Sequence, residues 1–89
     1  MSTLDRIRTL GNAMIGRVDA DVLEDALEWL DHHELDLALE VLADKVFDSK
    51  TTITEGEYAE FVDLAHQIGL DFERVGFLRR DLGPANPEP

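Results

Sequence analysis

The sequence predicts an all-α fold, a compact bundle of about five short helices, and three observations carry that reading. Apolar residues recur three and four apart in five successive stretches, the spacing that gathers them on one face of a helix. The stretches are punctuated by residues that start and stop helices, with Ser, Asp or Thr in front and glycine behind. Eighty-nine residues with 44% hydrophobic content suit one domain with a single modest core, and packed short helices supply such a core.

Taken in order, Ser2 followed by Asp5 marks the first helix start, and Leu4, Ile7, Leu10 and Met14 continue at helical spacing until Gly16. Asp19 opens a second helix whose apolar face is Val22, Leu23, Ala26, Leu27 and Leu30, running to about Asp31. After His32-His33 the pattern resumes out of phase with Leu35, Ala38, Leu39, Leu42 and Val46. That phase break predicts a tight corner between two antiparallel helices, the third ending near Phe47. Asp48 to Ile53 is polar and β-branched, a loop that is extended at Ile53. Thr54 and Glu57 then form a capping box, each side chain satisfying an otherwise unpaired amide of the first turn.

The fourth helix turns Tyr58, Phe61, Val62, Ala65 and Ile68 inward. Gly69 closes it in the left-handed conformation, with Leu70 placed for the accompanying apolar contact. Asp71 is expected to cap a short fifth helix through Phe72, Val75 and Leu78. Residues 1–82 therefore read as one helical domain, and residues 83–89, with three prolines, as a disordered tail.

Net charge is the strongest compositional fact, at −12. Nucleic acid and anionic membranes both repel such a surface, so direct binding to either is not expected, and a basic partner is the natural complement. The charge is uneven: residues 19–48 hold eleven acids against Lys45 alone, whereas residues 1–18 hold one acid against three arginines. The chain has no cysteine, which removes disulfide and thiolate-metal chemistry and makes the cytoplasm the expected location. Neither a signal peptide nor a run of ~20 apolar residues long enough to span a membrane is evident.

Aligning Glu57 with the twelfth position of a calcium loop places Lys50 among the ligands and Thr51 where the sharp turn needs glycine, which opposes calcium binding. Asp48-Ser49 resembles the attachment site of an acyl carrier protein, but Lys50-Thr51-Thr52 continues a loop where a helix should begin. His32 and His33 diverge by ~100° if helical, and His66 is remote, so a shared metal is not expected. No nucleophile elbow, phosphate-binding glycine loop or distinguished carboxylate pair is present. No catalytic residue, metal or cofactor is assigned, and the chain is expected to bind a partner without catalysis.

The binding side is expected on helices two and three. Asp21, Glu24, Asp25, Glu28 and Asp31 fall opposite the Leu23, Leu27 and Leu30 stripe, and Asp36, Glu40, Asp44 and Asp48 recur every four residues as a second ridge. Like charges so spaced cost a helix roughly 0.2–0.5 kcal/mol per pair, or a few kcal/mol over six pairs before salt screening. Interleaved lysines would serve solubility better. Trp29, the one tryptophan, stands beside Glu28 and is either core-edge packing or an apolar anchor for a partner.

The stretch Glu28-Trp29-Leu30-Asp31-His32-His33-Glu34-Leu35-Asp36-Leu37-Ala38-Leu39-Glu40-Val41-Leu42 resembles the centre of MafI-family immunity proteins, the antidotes of bacterial polymorphic toxin systems. In that family an acidic and apolar helix ends at a His-Gly-Glu-like corner, and the next opens with Leu-Ala-Leu-Glu. Ile53-Thr54-Glu55-Gly56-Glu57-Tyr58 and Gly69-Leu70-Asp71 are similar to its second half, so the resemblance covers about residues 20–80. His33 stands where the family pattern has glycine, a departure that histidine's tolerance of left-handed corners accommodates. The Lys50-Thr51-Thr52 loop is a second departure.

The resemblance implies binding to a cognate toxin domain, often a nuclease. A nuclease needs a cationic cleft for phosphate, which an acidic protein can occupy as a nucleic-acid mimic. The expected contacts are Glu24, Glu28, Asp31, Glu34, Asp36 and Glu40, with Trp29 as anchor. The alternative is an acidic regulatory adaptor or nucleic-acid mimic acting on a basic partner with no toxin involved.

Overall fold

Each helix begins where a side chain takes up an otherwise unpaired first-turn amide or where the preceding corner forces it to. The computed structural model describes residues 2–82, so the expected tail at 83–89 lies outside the described residues. Five α-helices follow in order: α1 (Thr3–Ala13), α2 (Ala20–Asp31), α3 (Leu35–Asp48), α4 (Glu55–Ile68) and the single turn α5 (Glu73–Gly76), which continues as a 3-10 turn (Phe77–Asp81). The fold is an all-α compact globule, and among the described residues no strand forms. Isolated bridges join only Ile15 to Val18 and Ile53 to Leu82. The second bridge accounts for the extended backbone expected at Ile53, which is buried.

The N-termini follow the sequence closely for three helices. Ser2 Oγ accepts from the Asp5 amide at 3.1 Å, the Asp19 carboxylate from the Asp21 amide at 2.9 Å, and Thr54 and Glu57 form the reciprocal capping box at 3.0 Å in each direction. The fourth expectation is corrected. The Asp71 side chain does not cap α5; Phe72 occupies the cap position without a side-chain bond, and Asp71 contributes only its carbonyl, which accepts from the Arg74 amide at 2.9 Å.

The C-termini share a device that the sequence disclosed at Gly69 and at the His33 corner but not at Lys50. In α2, α3 and α4 the residue after the helix cap, or the cap itself in α4, turns left-handed, and the next amide reaches back five residues to a carbonyl of the last turn. His33 does so at φ 58°, Lys50 at φ 54° and Gly69 at φ 77°. The long return bonds run from Glu34 to Trp29 at 2.9 Å, Thr51 to Val46 at 3.2 Å and Leu70 to Ala65 at 2.8 Å.

Helix α3 is the centre of the bundle, packed against α1, α2, α4, α5 and the 3-10 turn. Its Ala38, Leu39, Leu42, Ala43 and Val46 are buried among Leu23, Ala26 and Leu30 of α2, Ile7 and Leu10 of α1, and Phe61, Leu64 and Ala65 of α4. Leu64, not singled out from periodicity, is fully buried, while Tyr58, Val62 and Ile68 are half-buried. Gly11 is where α1 meets α2: a Cβ there would lie 2.8 Å from Leu27 Cδ2. Phe72 is a second correction, because its ring is 57% exposed and lies over Gly76 instead of entering the core with Val75 and Leu78. No helix among the described residues is long and apolar enough to cross a membrane.

Candidate functional site

The α2–α3 corner sets the geometry of the acidic side. The left-handed His33 reverses the chain in three residues, so α3 returns antiparallel along α2, and Trp29 lies one turn before the reversal. On α2 the buried stripe of Leu23, Ala26 and Leu30 forces Asp21, Glu24, Asp25 and Glu28 outward, and all four are exposed. None of them has a basic nitrogen within 4.0 Å among the described residues.

The acids of α4 behave differently. Arg6 holds Glu60 through two bonds, Nε to Oε2 at 3.0 Å and Nη2 to Oε1 at 2.9 Å, and also reaches Asp63 at 2.7 Å. Arg17 holds Glu57, donating from Nη1 at 3.0 Å, and this guanidinium keeps the Glu57 carboxyl below the usual carboxylate range. The arginines of the first eighteen residues thus neutralise mainly α4, and the α2 crest keeps its charge.

Of the seven residues expected to contact a partner, the structure brings some together and separates others. Glu24, Glu28 and Asp31 line a groove of about 390 Å³ with Arg8 and Leu27 on the α1 side of α2. Asp31 lies 3.5 Å from Arg8 there, both side chains largely exposed. Glu28 also borders a second groove, of about 380 Å³, shared with Asp25, Trp29, His32, Val41 and Lys45 on the α3 side. Trp29 is 38% exposed and meets the His32 ring edge-on at 6.4 Å, so it is both a packing residue and an open surface.

Asp36 and Glu40 do not join these grooves. The Asp36 carboxylate accepts from the Leu37 amide at 2.9 Å, and Glu40 accepts from Arg74 of α5 at 3.1 Å. Glu34 occupies the cap position of α3 with its side chain exposed and without a capping bond. Glu40 therefore lies on the flank of α3 that turns toward α5, whereas Asp48, at the far end of the ridge, lines a groove with Asp19 and Val22 at the start of α2. The self-repulsion of the ridge is visible at Asp44: partial desolvation lifts this carboxyl above the ordinary value, and the Glu40 and Asp48 charges lift it further, outweighing Arg74 and Lys45.

The residues missed from sequence are Val41 and Lys45, which form the α3 wall of the Trp29 groove. Only the antiparallel return of α3 places them opposite Trp29, although their four-residue spacing marks them as neighbours on one helix flank. No group of three or more His, Asp or Glu side chains among the described residues is placed to hold a metal. Comparison finds no matching protein-family model, no matching characterised protein and no matching solved structure.

Proposed function

We propose that the chain is an immunity protein that binds and neutralises a cognate bacterial toxin domain, a nuclease above all, through the acidic side formed by α2 and its junction with α3. The observation that carries the reading is the contrast between the unpaired α2 crest and α4, where Glu57, Glu60 and Asp63 are each held by an arginine and, among the described residues, only Glu55 is not. Asp21, Glu24, Asp25 and Glu28 sit at mutual spacings of three and four residues with no ion-pair partner among the described residues, whereas Arg6 and Arg17 are placed against the carboxylates of α4. Such a surface steers encounter with a cationic cleft, while a partly buried aromatic at its margin offers a desolvated anchor. The resemblance of residues 28–42 to MafI-family immunity proteins supports the same reading.

The test is co-expression with the adjacent reading frame. Rescue of growth and co-purification of the two products are expected, and a double reversal, Glu24→Lys with Glu28→Lys, should abolish both. The control must avoid Glu60 and Asp63, since these hold Arg6 and their reversal would disturb the α1–α4 contact. Glu55→Lys with Glu73→Lys changes net charge equally at exposed positions with no ion pair among the described residues. Equal loss of rescue in both double variants, or no toxicity in the adjacent product, refutes the proposal.

A further inference from the structure

The groove between α2 and α3 combines three features that belong to one kind of ligand. Its floor is apolar, made by the open part of Trp29 and by Val41. Its α2 rim carries Asp25 and Glu28, both without an ion-pair partner among the described residues, and Asp25 precedes Trp29 by one helical turn. Its α3 wall carries Lys45, the only lysine or arginine in residues 19–48, half-buried in the groove lining and in no ion pair among the described residues. At about 380 Å³ the space is at the small end of ligand pockets and suits a long side chain better than an extended ligand.

We propose that this groove receives an arginine side chain of the partner, its guanidinium stacked on Trp29 and bonded to Asp25 and Glu28. A planar, weakly hydrated cation gains from the indole face and from two carboxylate acceptors at once, whereas an ammonium uses the aromatic surface less well. Lys45 is then a resident cation that competes for the same carboxylates. The proposal rests on the reading that this side docks on a basic partner, but its test needs no toxin.

The sole tryptophan provides the readout. Titration with hexa-arginine and hexa-lysine peptides at low salt should shift Trp29 emission saturably, with hexa-arginine bound at least about threefold more tightly. Calorimetry on Trp29→Leu should show that preference gone. Lys45→Ala should tighten hexa-arginine more than Lys50→Ala does, the latter making the same charge change at an exposed position outside the groove. The Lys45 pair keeps the indole in place and decides the matter even where Trp29→Leu fails to fold. Equal affinity for the two peptides, or equal effects of the two lysine substitutions, means diffuse attraction to a −12 surface and overturns the groove. Peptide selectivity without toxin rescue refutes the immunity reading alone; rescue without peptide selectivity refutes the arginine groove alone.

Discussion

Replacing His33 and Lys50 by glycine should stabilise the protein. Both residues are held left-handed, at φ 58° and 54°, by the return bonds that close α2 and α3, where α4 uses Gly69 at φ 77°. A Cβ in that conformation costs about 1–2 kcal/mol, and glycine recovers it less the ~0.5–1 kcal/mol of extra freedom it gives the unfolded chain. The net gain is about 0.5–1 kcal/mol for each substitution. The two positions flank the fourteen residues of α3, roughly 20 Å of helix, so their effects should add. In urea, with a slope of about 1–3 kcal/mol per molar, the double variant should move the midpoint upward by about 0.3–2 M. Alanine at 33 or 50 keeps the Cβ and should bring no such gain, while Gly69→Ala should lose about 1 kcal/mol. Destabilisation by His33→Gly would refute the account and show that the imidazole contributes more than its backbone conformation costs.

Two further outcomes follow from side-chain chemistry. Asp44, with its folded-state pKa raised, opposes folding at neutral pH, so Asp44→Asn should add about 0.5 kcal/mol at pH 7, and the gain should vanish as pH falls through that raised value. Glu57, with its pKa lowered by Arg17, stabilises above its unfolded value of about 4.3 and loses that contribution as pH falls through the folded value; Glu57→Gln should cost about 1 kcal/mol at pH 7 and nothing once the carboxyl is protonated. Urea titrations across pH 3–7 check both, and parallel pH profiles for the two variants would contradict the assignment. Thr51→Val tests the buried latch between the α3–α4 loop and the connection from α1 to α2. The Thr51 hydroxyl is within 3.0 Å of the Arg17 carbonyl and 2.6 Å of Ser49 Oγ at 6% exposure, so its loss should cost about 1–2 kcal/mol in the same assay, and a neutral result would place water there instead.

The parts of the fold legible in the sequence are those set by local rules. Periodicity located the four longer helices, and capping chemistry at Ser2, Asp19 and Thr54 set the starts of three of them, because each cap is a bond between neighbours in the chain. Gly69 announced its left-handed turn through residue type. Lys50 did not, since the conformation there is imposed by what the return bond to Val46 requires and not by the residue's own preference. Phe72 and Asp71 were misread because a four-residue helix leaves too little period to fix a face. At the candidate site the α2 crest was legible for the same reason as the helix itself, whereas the position of Asp36 and Glu40 away from it depends on how α3 is rotated against α2 and α5.

That rotation turns a composition into a location. Arg6 and Arg8 are two apart on α1, about 200° around the axis, so they reach opposite neighbours. Arg6 meets Glu60 and Asp63 of α4 in a bidentate and a single bond, a fixed arrangement. Arg8 meets only Asp31 of α2, at 3.5 Å between two exposed side chains, an interaction worth about 0–1 kcal/mol in water. A cation on a partner can therefore displace Arg8 at little cost, adding Asp31 to the unpaired carboxylates of α2, but it cannot displace Arg6 without losing several charge-assisted bonds. The same eighteen residues thus lock most of the acids of α4 and leave those of α2 open, and under the proposed reading a basic partner would meet α2 with only the weak Arg8–Asp31 contact to break.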